Sequence, residues 1–246
     1  LIQPEAADKT AAAVGEWMRR YKVPAYDEAT GKGLVRHVYV RVNRKGESLC
    51  CVVINGRQAP REPELAAYVC ATVPHTAGVL VNSNTKRGNV ILGEKYRTLW
   101  GRDYLMDTLC GLEFKLSVPS FYQVNRDQAE ALYGKALDYA GLTGRETVLD
   151  LYCGIGTITL CLAKRAGRVI GAEIVPAAIR DAKENAARNH IENAEFFCGD
   201  AAETAARLEA EGLRPDVITV DPPRKGLAPE VIGSIAAMGP ERVVYV

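Results

Sequence analysis

Only three histidines occur in this 246-residue chain, His37, His75 and His190, and none of its seven cysteines belongs to a C-x-x-C pair. Without such spacing a zinc or other metal centre is not expected. Cys50, Cys51, Cys70, Cys110, Cys153, Cys161 and Cys198 read instead as reduced, buried thiols. Long apolar runs are missing too: nothing approaches the roughly 18 residues that a membrane-spanning helix needs. Leu1 to Arg20 carries no signal-peptide pattern and no initiating Met, and no internal repeat or low-complexity linker follows. The expectation is a soluble cytoplasmic protein, monomeric and without membrane association, whose natural N-terminus lies upstream of Leu1.

An excess of charge of one sign is also lacking, since the net charge is +1. The halves differ, however: up to Arg126 there are 18 Lys+Arg against 12 Asp+Glu, a net of +6, and beyond it 13 against 18, a net of −5. This asymmetry is compatible with one half meeting a polyanion, and equally with ordinary solvated faces.

What is present is periodicity. Val14, Trp17 and Met18 at helical spacing predict a helix from about Pro4 to Tyr21, halted by Pro24. From Leu34 the period shortens to two. "VRHVYVRV", "SLCCVVING", "AGVLVNSN", "GNVILG", "EKYRTLW" and "LEFKLS" read as strands of an antiparallel module, interrupted by one helix near Glu62 to Thr72. Beyond Asn125, strands and helices alternate. The apolar strands "TVLDLYC", "RVIGAEI", "AEFFCGD", "PDVITVD" and "ERVVYV" predict a parallel sheet covered on both faces. Two domains are therefore expected: residues 1–126, β-rich α+β with an N-terminal helix, and residues 127–246, α/β and incomplete at the C-terminus, where "RVVYV" stops without its loop.

The first strand of the α/β part runs into "CGIGT", so Gly154 and Gly156 sit at a strand-to-helix turn where a ligand meets backbone N–H groups. Asp150 precedes the turn. Glu173 ends the next strand, where a carboxylate can accept both hydroxyls of a ribose. A dinucleotide fingerprint needs a third glycine, and Thr159 stands there, so S-adenosylmethionine is favoured over a nicotinamide cofactor. Cys153 reads as a small turn residue rather than a nucleophile, having no neighbouring His or Lys in sequence.

"VITVDPPRKG" places Asp221 at the end of the fourth strand, on the rim that carries the glycine turn, and the two prolines stiffen the loop after it. Arg224 and Lys225 then project cations suited to a phosphate or a base edge. "SVPSFYQVN" joins Phe121 and Tyr122 to the amides Gln123 and Asn125, in a string that no helix or strand pattern demands. It reads either as an aromatic-packed linker or as part of a site.

Together SVPSFYQVN, LDLYCGIGTITL, GAEI and VDPPRKG resemble the RNA uracil-5-methyltransferase family, over about Asn82 to Val246, and "NTKRGNVILG" looks like that family's central domain. The resemblance implies a Rossmann-like SAM-dependent methyltransferase domain that modifies C5 of a uridine in RNA, 23S ribosomal RNA in preference to tRNA. It implies that Gln123, Tyr152, Gly154, Gly156, Glu173, Asp200 and Asp221 bind S-adenosylmethionine, with Asp200 at the adenine and Asp221 at the reacting end. Thr157 matches a less strictly patterned position. Phe121, Arg224 and Lys225 are the candidates for substrate binding.

The family's chemistry needs a thiolate that adds to C6 of uracil and a base that removes the C5 proton. That cysteine follows the strand after DPPRKG, in a Ser-Cys-x-Pro loop, and the base is a glutamate further downstream. Neither occurs up to Val246, so no catalytic residue is assigned, the nucleophile is expected just beyond Val246, and these 246 residues alone are expected to be inactive. The N-terminal RNA-binding barrel and the iron–sulfur cysteine cluster of many relatives have no counterpart pattern after Leu1. Two other readings stay open: an amino-group methyltransferase, although Arg224 stands where an aromatic usually follows the prolines, and a non-catalytic nucleic-acid-binding module.

Overall fold

Helix α1 (Glu5–Tyr21) opens the chain in the computed structural model, which describes residues 3–246. Acidic Glu5 and Asp8 lie in its first turn and Arg19 and Arg20 in its last, each complementing the helix dipole. Lys22, in the left-handed region, closes it: its N–H donates to the Arg19 carbonyl and the Val23 N–H donates to the Met18 carbonyl. The sheet that follows runs β1 (Val35–Val42), β2 (Ser48–Ile54), β3 (Thr76–Ser83) and β4 (Lys95–Gly101) in that spatial order, with α2 (Glu62–Thr72) between β2 and β3.

β2 is buried along its whole length because both of its faces are covered. Cys50, Val52 and Ile54 point to one side, joining Val14 and Trp17 of α1 and Leu65 and Val69 of α2 in one core. Leu49 and Cys51 point to the other, with Leu80, Leu105 and Val118. Two adjacent cysteines thus enter opposite cores, and burial pushes the Cys51 thiol up to about 12.

The antiparallel expectation fails at one step. β1 with β2 and β3 with β4 are antiparallel, but β2 and β3 are parallel, because α2 carries the chain back to the end of the sheet at which β2 began. "GNVILG" forms no strand either; it lies in the β3–β4 connection. β5 (Tyr104–Leu109), which periodicity did not separate from its neighbours, pairs in a two-stranded sheet with β6 (Leu112–Ser117).

The chain divides into two units, Leu1–Asp107 with Leu116–Pro119, and Thr108–Lys115 with Ser120–Val246. The division crosses the β5–β6 hairpin, whereas the sequence suggested one cut after Arg126. The second unit continues with α3 (Arg126–Ala140), β7 (Thr147–Leu151), α4 (Thr157–Ala163), β8 (Arg168–Glu173), α5 (Pro176–Arg188), β9 (Ala194–Cys198), α6 (Ala201–Ala210), β10 (Val217–Val220), α7 (Pro229–Met238) and β11 (Arg242–Tyr245). Its five strands are parallel in the order β11-β10-β7-β8-β9. Alternate strand residues Leu149, Leu151, Ile170, Ala172, Ile218 and Val220 bury against Ala205 and Leu208 of α6 and Val231 and Ile235 of α7. The intervening residues face α4: Thr159 of that helix reaches Asp150 of β7. Among the described residues no helix is long and apolar enough to cross a membrane.

Candidate functional site

The order in which strands are added to the sheet of the second unit reverses between β7 and β10, since β8 and β9 lie on one side of β7 and β10 and β11 on the other. At such a switch point the crossovers leave in opposite directions and open a crevice beyond the carboxyl ends of the strands. Four of the predicted residues fall on that rim: Asp221 after β10, Tyr152 after β7, Glu173 at the end of β8 and Asp200 just after β9. With neighbouring strands about 4.8 Å apart, the row extends over about 15 Å.

The turn after β7 is built from left-handed residues. Tyr152, Gly154 and Gly156 have φ of 67°, 55° and 85°. A Cβ on Gly156 would press on the Phe196 ring and Ala182 at 3.3–3.4 Å, so this glycine serves packing. A Cβ on Gly154 would meet nothing within 4 Å, so the backbone there borders open space. The Gly154 N–H donates to Glu173 Oε2 at 3.2 Å, and the Val175 N–H donates to Oε1 at 2.8 Å. A carboxylate has about four acceptor positions, so two backbone donors orient Glu173 and leave capacity for a diol.

Asp200 performs a structural duty in addition to any ligand contact: its Oδ1 caps α6, accepting from Ala202 N at 2.8 Å. Its charge also bears on Tyr152, whose hydroxyl is pushed up first by burial and then by Asp200 and Tyr245. Asp221 is half-buried, and that burial raises its carboxyl.

Beneath the row lies Asp150, 1% exposed, accepting from Thr159 Oγ1 and from Thr219 Oγ1, the latter at 2.7 Å. Burial pushes its carboxyl up to about 6 against the pull of the two hydroxyls, and Asp221 adds to the rise. Asp150 therefore ties β7, α4 and β10 together under the crevice rather than lining it. Thr159, which occupies the place of a dinucleotide fingerprint's third glycine, is one of the two groups that satisfy this buried carboxylate. Cys153 is buried and its thiol is raised well above the ordinary range, chiefly by burial, which suits a packing residue and not a nucleophile.

Residues 90–246 match the model of the tRNA (uracil-5-)-methyltransferase family. The chain belongs to this family. Across its whole length it is 44% identical to an uncharacterized RNA methyltransferase of Halalkalibacterium halodurans and 43% identical to one of Caldanaerobacter subterraneus, covering 54% and 55% of those proteins. The chain thus spans about half the length of the curated relatives it matches. Among solved structures it resembles the Pyrococcus abyssi tRNA (uracil-54, C5)-methyltransferase in complex with S-adenosyl-L-homocysteine, with a TM-score of 0.78 and 24% identity over 96% of this chain and 56% of that one. That likeness is one of fold: a Rossmann-like methyltransferase sheet.

The remaining candidates of this family member lie off the row. Phe121 is 72% exposed and Gln123 partly so, in the segment between β6 and α3. Ser120 Oγ donates to Asp181 Oδ2 of α5 at 3.0 Å, anchoring that segment's start, and the Asn125 side chain caps α3 by accepting from Gln128 N. Arg224 and Lys225 are exposed in a turn closed by Gly226 N donating to Pro223 O at 2.8 Å. Among the described residues no hydrogen bond or ion pair joins Phe121, Gln123, Arg224 or Lys225 to the rim row. Tyr133, which sequence reasoning passed over, shares a 3.3 Å hydrogen bond with Thr157 Oγ1 and so links α3 to the helix behind the glycine turn. Its position on a helix face within an ordinary apolar pattern offered no signal.

Proposed function

We propose that this chain is the cofactor-holding part of an enzyme that methylates C5 of a uridine in RNA with S-adenosylmethionine. The carrying observation is the coincidence of the open Gly154 turn with a backbone-oriented Glu173 at the switch point of a parallel sheet. The residues fit the cofactor: Glu173 would take the ribose hydroxyls, Gly154 and Gly156 would allow close backbone approach, Tyr152 and Asp200 would flank the adenine, and Gln123 and Asp221 would hold the methionine end. Bound there, S-adenosylmethionine supplies an electrophilic methyl group. Phe121, Arg224 and Lys225, exposed near the start of α3 and after β10, would meet the RNA.

A C5 transfer also requires a thiolate, and the described cysteines do not offer one in the right state at the crevice. Cys153 lies there but is buried, with its thiol raised well above the ordinary range, and Cys198, although exposed at the rim, ends the edge strand β9, three strands away from the β10 strand that carries Asp221. These 246 residues are therefore expected to bind the cofactor without transferring methyl groups. Ribosomal RNA of the 23S type is the preferred substrate, on the wording of DLYCGIGTITL and SVPSFYQVN; tRNA is the alternative.

Titration calorimetry with S-adenosylmethionine tests the core of this reading. Binding by the unaltered chain and a loss of tenfold or more in Glu173→Ala are expected; no binding, or equal binding by the variant, would overturn it. Transfer of labelled methyl by the full-length protein to 23S rRNA and to tRNA transcripts decides the substrate.

A further inference from the structure

A second recess lies entirely within the first unit. It encloses about 900 Å³ and is lined by Arg57 from the β2–α2 connection, Lys86 and Glu94 from the β3–β4 connection, and Lys95 and Arg97 of β4. Lys95 and Arg97 share one face of β4 by the two-residue period, beside Val81 and Ser83 of β3. Four cations thus meet one carboxylate. Arg97 is committed elsewhere, its guanidinium forked onto Glu62 at 2.6 and 2.7 Å. Lys86 pairs with Glu94 at 2.8 Å, with both side chains about four-fifths exposed; such a pair has little strength and yields readily to a phosphate. Arg57 and Lys95 are exposed and enter no ion pair among the described residues.

The connection above this recess is built rather than loose. Asn82 and Asn84, both buried, take up its backbone groups. Asn82 donates to Gly93 O and Lys95 O and accepts from Gly93 N, while Asn84 donates to Val90 O at 2.7 Å and Ile91 O at 3.0 Å. Arg36 braces it further through the carbonyls of Asn84 and Lys86. Gly93 lies so close to β3 that a Cβ would fall 2.0 Å from Ser83 O. The result holds the Val90 and Ile91 side chains out in water, 69% and 46% exposed, although their backbones are secured. Two aliphatic side chains held in water, on the same connection as Lys86 and Glu94 of the recess, suit an apolar contact with a base whose backbone phosphates meet the cations.

We infer that this recess and its braced loop bind a single-stranded stretch of RNA, with phosphates on Arg57, Lys86 and Lys95 and a base packed on Val90 and Ile91. The inference rests on the RNA reading above and adds a contact region remote in sequence from the cofactor row. Fluorescence anisotropy with a labelled uridine-rich RNA of about 12 nucleotides, run on the full-length protein over a salt series, tests it. Arg57→Ser with Lys95→Ser is expected to weaken binding about tenfold at low salt and to lower the salt slope by about 1.4, the value for two lost phosphate contacts on a single strand. Val90→Ser with Ile91→Ser is expected to weaken binding about fivefold with the slope unchanged, because a base contact releases no counterion. Unaltered affinity and slope in the first variant, at an unchanged melting temperature, would overturn the phosphate site; unaltered affinity in the second would overturn the base contact. If the unaltered protein binds no RNA, the functional reading fails along with the inference. If it binds RNA and S-adenosylmethionine while both variants behave as it does, only the inference fails.

Discussion

Glu62 in the first unit and Asp150 in the second are both buried carboxylates, yet they are displaced in opposite directions. Burial acts on Glu62 to raise its carboxyl, but two hydrogen bonds and the charge of Arg97, with the Ala59 N–H at 2.8 Å, hold it below the ordinary range. Asp150 has only the hydroxyls of Thr159 and Thr219, which are dipoles without net charge, and burial wins, carrying it to about 6. The lesson is that a buried acid is set by whether its partner is a full charge. In the first unit a paired acid fastens β4 to α2. In the second, a poorly compensated acid sits under a crevice whose other groups are also acidic.

The sharpest departure expected from either unit comes from its core. Trp17→Ala removes a fully buried ring whose Nε1–H donates to Arg61 O, and should lower stability by about 3–5 kcal/mol in urea unfolding.

The two carboxylates then give pH dependences of opposite sign. Asp150 has a folded pKa above its unfolded value, so its contribution is fully present below about pH 4 and is lost as pH rises towards 6. The fall is about 3 kcal/mol at most. Asp150→Asn should flatten that fall, as read from urea midpoints between pH 4 and 7; a slope that persists would assign it to another group. Glu62 has a folded pKa below its unfolded value, so its contribution is present above about pH 4.5 and is lost on acidification. Glu62→Gln should cost about 1.5–3 kcal/mol at pH 7 and leave less acid sensitivity behind.

The smallest effect should come from Gly154→Ala. Its φ of 55° makes alanine unfavourable by about 1 kcal/mol, with no clash to add. S-adenosylmethionine affinity should fall by more than this modest loss of stability suggests, since the methyl group enters the open space above the turn. Equal affinity would place the ligand elsewhere.

The units also differ in how far they can be read from sequence. In the second, each of β7, β8, β9 and β10 is a short apolar run followed by a helix with its own stop signal, and one architecture accommodates that rhythm. Tyr152, Glu173, Asp200 and Asp221 are legible as strand-end residues for the same reason. In the first, the two-residue period that marks β2 and β3 is identical whether they run parallel or antiparallel, and the crossover by α2 decides. "GNVILG" has the composition of a strand, but the Asn82 and Asn84 amides claim the backbone groups that a ladder would need. Asp150 stands three residues before Cys153 in a strand, which does not reveal that it faces α4 rather than the crevice.

The sequence by itself determined the helices, the strands of the α/β part, the alternation that makes a parallel sheet, and the motifs that place this chain in its family, because these depend on neighbours a few residues apart. Only the tertiary structure decided the parallel step between β2 and β3, the opposite displacements of the Glu62 and Asp150 carboxyls, and the meeting of Arg57 with Lys86 and Lys95 around one recess. Those depend on groups far apart along the chain, and burial and Coulomb forces act on distance in space.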